Sequence, residues 1–127
     1  MKIQESAENY LETILILNKR KDNVYSIDIA MELDYSKPSV SVAMKKLREN
    51  GYIKMTDDGQ ITLTEKGQEI AERVYERHIL LRDWLISLGV DPEVAAEDAC
   101  RVEHVISEET FEAIRNYASQ KGIKIKE

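Results

Sequence analysis

The chain has 127 residues, 43% of them hydrophobic, which suits one compact domain or two small ones sharing a core. Its 18 basic and 24 acidic residues give a net charge of −6, which by itself argues against nucleic-acid binding. With 5 Gly and 2 Pro, long disordered linkers are not expected.

Targeting signals are also missing from the sequence. No run approaches the roughly 20 apolar residues that cross a bilayer. The N-terminus, MKIQESAENYLE, lacks the apolar centre of a secretory signal. A single cysteine, Cys100, cannot form an internal disulfide, which favours a reducing compartment. The sequence therefore predicts a cytoplasmic protein with no membrane partner.

The first predicted element is a helix over residues 6–20, with Ser6 as its expected N-cap and basic residues at its far end. Apolar residues recur along it at helical spacing: Ala7, Tyr10, Leu11, Ile14 and Leu15. Asn9 and Glu12 are three residues apart, so they share a neighbouring face of this helix.

Two short helices joined by a tight turn are predicted next, over residues 26–51. Ser26 is the expected cap of the first helix, whose apolar residues are Ile27, Ala30 and Leu33, and Asp34-Tyr35 form the turn. Ser36 caps the second helix, Pro38 lies in its first turn, and Gly51 follows its end. Val40, Met44 and Leu47 form the apolar stripe of the second helix. This arrangement predicts a helix-turn-helix.

Residues 52–64 alternate between apolar and polar types around the turn signal Asp57-Asp58-Gly59-Gln60, which predicts a β-hairpin. A hairpin directly after the second helix predicts a winged helix-turn-helix. Residues 37–54 carry five basic residues against one acid, Glu49, so a basic surface lies on an acidic protein. That local charge favours contact with phosphate in spite of the net charge.

The second half of the chain is predicted to be helical, with helices over residues 65–88, 92–105 and about 107–120. The first of these is apolar on two sides. One side contains Val74, His78 and Leu81, and the other contains Ile79 and Trp84. Both sides must be buried, and the second therefore suggests a partner subunit.

The residues able to do chemistry lie close together in this half. Cys100, Glu103 and His104 are spaced i, i+3 and i+4, so a helix places them on one face. Thiolate, carboxylate and imidazole groups make half of a transition-metal site, which His78 from the long helix and Asn9 and Glu12 from the first helix could complete.

Two other interpretations of this cluster compete with metal binding. Each residue taken singly is more typical of a packed or hydrogen-bonded core side chain. Cys100 and His104 could also form an activated nucleophile, but no Gly-rich loop offers oxyanion donors and no third residue orients the histidine. The sequence therefore predicts that the protein is not an enzyme.

Four stretches, SAENYLETI, SKPSVS, ERHILL and DACRVEHVISEE, give the chain a strong resemblance to the diphtheria toxin repressor / manganese transport regulator (DtxR/MntR) family of metal-dependent transcriptional repressors. The resemblance implies a mainly α fold with a small β-hairpin. A winged helix-turn-helix DNA-binding domain, residues 1–64, would precede a helical metal-binding and dimerisation domain, residues 65–127. It also implies a homodimer that binds a double-stranded DNA operator when a metal corepressor fixes the dimer geometry.

The resemblance also implies a set of metal ligands. The iron-responsive branch matches at Cys100, Glu103 and His104 and has a Met at the position of Asn9. The manganese branch matches at Glu12 and His78, whereas its residue at position 9 is Asp. Asn9 therefore departs from both branches. Two further departures, Ala96 and Arg82, remove residues that form a second site in the iron-responsive branch.

The expected metal follows from this mixed set of ligands. Thiolate favours Fe(II), Co(II), Ni(II) or Zn(II) over Mn(II), while oxygen and imidazole ligands restore some affinity for Mn(II). We expect Fe(II) first and Mn(II) next, with Zn(II), Co(II) or Ni(II) binding in vitro.

The DNA contacts are expected at the start of the second helix of the helix-turn-helix. By resemblance, Ser36 and Pro38 would contact bases or their methyl groups, and Val42 would pack on a thymine methyl. Phosphate contacts are expected from Ser39, Ser41 and Lys45, the last through its charge. Lys37 lies at the start of the helix, where both base edges and phosphates are reached. The alternative function is a metal-independent winged-helix regulator that senses oxidation through Cys100. Asn9 and Ala96 favour this alternative, because they depart from the ligand pattern of the family.

Overall fold

The computed structural model describes residues 5–122, which form six helices and one two-stranded antiparallel sheet. In chain order the elements are α1 (Glu5–Arg20), α2 (Ser26–Leu33), α3 (Lys37–Glu49), β1 (Ile53–Met55), β2 (Ile61–Leu63), α4 (Glu65–Ser87), α5 (Pro92–Val102) and α6 (Glu108–Gln120). The predicted mainly α fold with a small hairpin is confirmed. The chain divides into two compact units, Met1–Glu72 and Arg73–Glu127, and the division falls inside α4.

Helices α1 and α2 begin differently from the prediction. Ser6 lies inside α1, because the helix already includes Glu5. The N-cap of α2 is Tyr25 rather than Ser26. The Tyr25 amide donates to the Asp28 carboxylate at 2.8 Å, so an acid in the first turn satisfies this helix end and no serine hydroxyl is needed.

The buried face of α2 also differs from the prediction, which placed Ile27, Ala30 and Leu33 on that face. Ile29 and Ala30 are buried, whereas Ile27 is 40% exposed. The spacing of Ile27, Ala30 and Leu33 fits a helix equally well, so periodicity alone could not decide between the faces.

Helix α3 agrees closely with the prediction. Asp34 takes the left-handed conformation, with φ of 58°, and so turns the chain between the two helices. Ser36 is the N-cap of α3, and its hydroxyl accepts from the Ser39 amide at 3.3 Å. Gly51 follows the helix with φ of +80°, a conformation that glycine adopts without steric cost. The buried residues of α3 are Val40, Met44 and Leu47.

The hairpin packs through one face onto the rest of the first unit. Ile53 pairs with Leu63, and Met55 pairs with Ile61, in antiparallel register. Ile53 and Ile61 are both buried. The Ile61 amide donates to the Val24 carbonyl at 2.7 Å, which adds the segment before α2 to the edge of the sheet.

A close backbone approach fixes the start of α4. Gly67 is buried in the first turn of α4, and a Cβ atom at this position would overlap the Tyr52 carbonyl oxygen. Thr64 supports the same junction, because its amide donates to the Tyr52 carbonyl at 3.1 Å and its hydroxyl accepts from the Gly67 amide at 3.1 Å. Glycine at position 67 therefore allows α4 to lie against the strand that Tyr52 precedes.

The second unit has its own apolar core, built from α4, α5 and α6. Its buried members are Leu80, Leu81, Ala99, Phe111 and Ala118, and partly buried Trp84, Val102, Ile106 and Ile114 pack against them. Helix α5 ends at Val102, three residues before the predicted end. Over residues 5–122, none of the helices is long and apolar enough to span a bilayer.

Candidate metal centre and nucleic-acid interface

The predicted ligands Cys100, Glu103 and His104 come together at the end of α5. Only Cys100 is inside the helix, which ends at Val102. The Glu103 amide nevertheless donates to the Ala99 carbonyl at 3.0 Å, so the helical path continues for one more residue. One donor atom from each of the three side chains lies within 4.8 Å of the others. The helical spacing of these three residues therefore predicted that their side chains lie together, although Glu103 and His104 lie in the turn after the helix.

The Glu103 carboxylate is the centre of this cluster. It is buried, with 1% of the residue exposed. His104 Nε2 lies 3.2 Å from Glu103 Oε1, and His78 Nδ1, presented by α4, lies 3.4 Å from Glu103 Oε2. Taking a carboxylate out of water costs several kcal/mol unless positive charge or hydrogen-bond donors face it. The surroundings of Glu103 are therefore suited to holding a cation.

These donors fit a divalent transition metal. Sulfur, nitrogen and oxygen ligands lie about 2.0–2.3 Å from such an ion, so two ligand atoms on one ion are separated by at most about 4.6 Å. The Cys100, Glu103 and His104 donors lie within 4.8 Å of one another, which brings them near the separation at which they could share one ion. The His104 side chain is 3% exposed and Cys100 is half-buried, so the protein excludes most of the competing water.

Asn9 and Glu12 lie in the other unit, in the first half of α1. The Asn9 carbonyl accepts from the Thr13 hydroxyl at 2.8 Å, and the Glu12 side chain is buried. Their role as ligands stays a prediction. At the positions of the missing second site, Ala96 offers no donor and Arg82 is a cation that pairs with Asp83 at 3.0 Å.

The seven predicted DNA contacts all lie on exposed positions at the start and along one side of α3. They are Ser36, Lys37, Pro38, Ser39, Ser41, Val42 and Lys45. Val42 is 56% exposed and is the apolar member of this set that offers two methyl groups to a partner. Lys46 and Arg48 add exposed positive charge in the last turn. This placement is compatible with DNA contact, which stays a prediction for each residue.

One residue beside the candidate metal ligands is not among those that the sequence pattern predicted. Arg77, next to His78 on α4, donates to the Glu103 carbonyl and to the Glu108 carboxylate, each at 2.9 Å. Its partners are 26 and 31 residues away, so no local pattern announces the contact. Only its position beside a candidate histidine ligand could have suggested it.

Comparisons with known proteins cover both units. Residues 2–61 match the family described as iron dependent repressor, N-terminal DNA binding domain. Residues 64–120 match the iron dependent repressor, metal binding and dimerisation domain. The chain is 35% identical over 121 residues to the transcriptional regulator MntR of Escherichia coli, covering 95% of this chain and 78% of that protein.

Two further matches are an iron-dependent repressor and a manganese-dependent repressor. The iron-dependent repressor IdeR of Mycobacterium tuberculosis is 34% identical, covering 83% of this chain and 46% of that protein. A crystallised manganese-dependent transcriptional repressor in complex with manganese superposes with a TM-score of 0.81 and 27% identity, covering 93% of this chain and 53% of that one. The chain thus spans about half the length of these two proteins.

The two matched domain families are a DNA-binding domain and a metal-binding and dimerisation domain, and the matched relatives are transcriptional regulators. The chain belongs to the iron-dependent repressor family, whose members are metal-dependent transcriptional repressors.

Proposed function

We propose that this chain represses transcription in the cytoplasm as a homodimer that binds a double-stranded DNA operator when Fe(II) or, as second choice, Mn(II) is bound. It would act by binding and not by catalysis. The observation that carries the proposal is the cluster of Cys100, Glu103 and His104, in which a thiol, a carboxylate and an imidazole lie within 4.8 Å of one another.

The proposed ligand set has two parts. His78, Cys100, Glu103 and His104 form the first part, supported by their common approach to the Glu103 carboxylate. Asn9 and Glu12 of α1 form the second part, supported by the resemblance of SAENYLETI to the family pattern. In this arrangement the ligands come from the proposed DNA-binding domain, residues 1–64, and from the proposed metal-binding and dimerisation domain, residues 65–127.

The residues themselves explain how such a site would act as a switch. Glu12 and Glu103 are both buried acids, and ionised carboxylates repel one another. A bound divalent cation supplies the charge that offsets this repulsion and joins the two domains. The first-helix ligands would then hold the DNA-binding domain in one orientation, and a homodimer would present two α3 helices about 34 Å apart, as successive major grooves require. By linkage, DNA binding strengthens metal binding by the same factor.

The proposed DNA interface assigns a chemistry to seven exposed residues at the start and along one side of α3. Ser36 and Pro38 would meet base edges or methyl groups, and Val42 would pack on a thymine methyl. The remaining residues, Lys37, Ser39, Ser41 and Lys45, would contact phosphate. The Val42 side chain is exposed and apolar, so its chemistry suits a methyl group better than a phosphate.

The choice of metal depends on Cys100. Its sulfur favours Fe(II), and also Zn(II), Co(II) and Ni(II) in vitro, over the harder Mn(II). The names of the relatives include both a manganese-dependent and an iron-dependent repressor, which supports one of these two as the physiological ion.

The test is anaerobic selection of operator DNA from a random duplex library by the purified protein, with Fe(II), Mn(II) or a chelator. Recovered sequences are then titrated by fluorescence anisotropy. We expect enrichment and tight binding with Fe(II) or Mn(II) and loss with chelator. Equal binding with metal and with chelator would exclude the metal switch. Binding that instead responds to peroxide, and no longer does so in Cys100→Ala, would support the redox regulator.

A further inference from the structure

The Arg77 side chain joins three elements of the second unit. It projects from α4 and is only 12% exposed. One terminal nitrogen donates to the Glu103 carbonyl at 2.9 Å, and the other donates to the Glu108 carboxylate at 2.9 Å. Glu103 follows the end of α5, and Glu108 is the first residue of α6. Arg77 therefore holds both ends of the turn formed by residues 103–108.

The hydrogen bond to Glu103 has a clear local role. The last carbonyls of a helix lack partners within the helix, and an arginine can satisfy them. The carbonyl that Arg77 binds belongs to the same residue as the carboxylate at the centre of the candidate metal site. Fixing the Glu103 carbonyl therefore also restricts where its carboxylate can lie.

The guanidinium is itself held in place by the core. Its central carbon lies 4.9 Å from the centre of the Phe111 ring, and Phe111 is buried among Leu80, Leu81 and Ala99. Arg115 lies at the same distance from this ring, but it pairs with Glu112 on its own helix at 3.3 Å. Both arginines therefore lie over the Phe111 ring, but of the two only Arg77 forms hydrogen bonds to the turn after α5.

The charge of Arg77 is compatible with a cation nearby. Glu108 pairs with the guanidinium directly, and this carboxylate is 70% exposed. The Glu108 carboxylate offsets part of the positive charge of Arg77. Arg77 can therefore hold the turn with less repulsion of a metal ion bound nearby.

From these contacts we infer that Arg77 is a positioning residue for the metal site. By holding residues 103–108, it keeps the Glu103 carboxylate and the His104 imidazole together before an ion arrives. Without Arg77, a binding ion must also order this turn, and the ordering entropy opposes binding. The inference rests on the proposed metal-binding function.

The test compares three variants of the full chain by anaerobic Co(II) titration, followed through the visible absorption of the bound ion. Arg77→Gln should weaken Co(II) affinity by about tenfold or more, the range expected when a residue that orients a ligand is lost. Glu108→Gln should weaken it less, since the bond to the Glu103 carbonyl remains. Arg115→Gln is the matched control, since it removes the other cation from Phe111, and it should change the affinity by less than about twofold.

A second readout separates positioning from general stability. Hydrogen exchange of the metal-free variants should accelerate at amides 103–108 in Arg77→Gln and stay unchanged there in Arg115→Gln. Wild-type affinity in Arg77→Gln, or equal losses in the two arginine variants, would overturn the inference and leave the metal site standing. If Arg77→Gln fails to fold, Arg77→Lys decides, since the shorter side chain loses the forked contact with both acceptors, and unchanged affinity and exchange in that variant would overturn the inference. Failure of the wild-type protein to bind Co(II) would overturn the proposed function and the inference with it.

Discussion

His104 Nε2 lies 3.2 Å from Glu103 Oε1, although the two residues are adjacent in sequence. Adjacent residues on a regular helix point about 100° apart. The two side chains meet in the turn that follows α5, which ends at Val102. The turn after α5 is therefore part of the candidate metal site, and we expect changes to this turn to change the metal affinity.

Cys100 should affect the selectivity of the site among metals more than its overall metal affinity. Replacing it with serine exchanges a soft sulfur for a hard oxygen at nearly the same position. We expect Cys100→Ser to weaken Co(II) and Zn(II) binding by about tenfold or more and Mn(II) binding much less. Anaerobic competition titrations measure the ratio. His104→Ala is the comparison variant, and it should weaken binding of all three ions. Equal losses for Co(II) and Mn(II) in Cys100→Ser would argue that the sulfur is not a ligand.

Lys45 should contribute a contact that is independent of DNA sequence. It is exposed on α3 together with Lys46 and Arg48. Lys45→Ala should weaken binding to every duplex and reduce the slope of log affinity against log salt by about one. Lys121→Ala removes the same charge from the other unit and serves as the control. An unchanged salt slope in Lys45→Ala would remove this residue from the phosphate contacts.

Ser36 has a structural role that must be separated from its proposed contact with DNA. Its hydroxyl caps α3 by accepting from the Ser39 amide. Ser36→Ala should cost about 1 kcal/mol of stability, whereas Ser36→Gly should cost only a few tenths, because glycine is tolerated at this position. If Ser36 also contacts DNA, both variants should bind the operator equally weakly. Operator affinity that follows the stability of the two variants would indicate a cap and nothing more. Thermal unfolding and anisotropy give the two measurements.

Gly67 should be intolerant of even the smallest side chain. Replacing glycine with alanine in a helix normally stabilises by about 1 kcal/mol. Here the new methyl group would overlap the Tyr52 carbonyl oxygen, so backbone must move, at a cost of about 1–3 kcal/mol. We expect Gly67→Ala to lower the free energy of unfolding in urea, while Glu69→Ala at an exposed position nearby changes it little. A stabilised Gly67→Ala would show that α4 does not need this close approach.

Asp28 should make the DNA-binding unit sensitive to acid. A hydrogen bond from Lys21, and then one from the Tyr25 amide, lower the pKa of Asp28 from its ordinary value. A carboxyl with a lowered pKa stabilises the fold above its unfolded pKa of about 3.9, and that stability is lost as pH falls through the folded pKa. Asp28→Asn should therefore be less stable than wild type at pH 7, and the difference should shrink below about pH 4. Urea unfolding at several pH values measures it, and a constant difference would contradict the assignment.

Local patterns predicted much of the fold. The apolar spacing of Val40, Met44 and Leu47 and the positions of Ser36 and Gly51 identify α3, because these residues act through neighbours in the chain. The grouping of Cys100, Glu103 and His104 follows from helical spacing in the same way.

Contacts between distant residues were not predictable. The contact of Arg77 with Glu103 joins α4 to the end of α5, and the overlap at Gly67 depends on where Tyr52 lies. These features depend on tertiary packing, for which a single sequence carries no local signal.

The paired hydroxyls at the start of α3 limit what this surface can offer to DNA. Ser36 Oγ donates its proton to Ser39 Oγ at 2.8 Å and also accepts from the Ser39 amide. A serine hydroxyl has one proton, so Ser36 has none left for a base acceptor while this pair persists. The Ser39 proton can still turn toward a phosphate oxygen. With Ser36 as the donor of the pair, a base would meet Ser36 only as a hydrogen-bond acceptor, which would favour the amino groups of adenine or cytosine in the major groove over the acceptor-only edge of guanine.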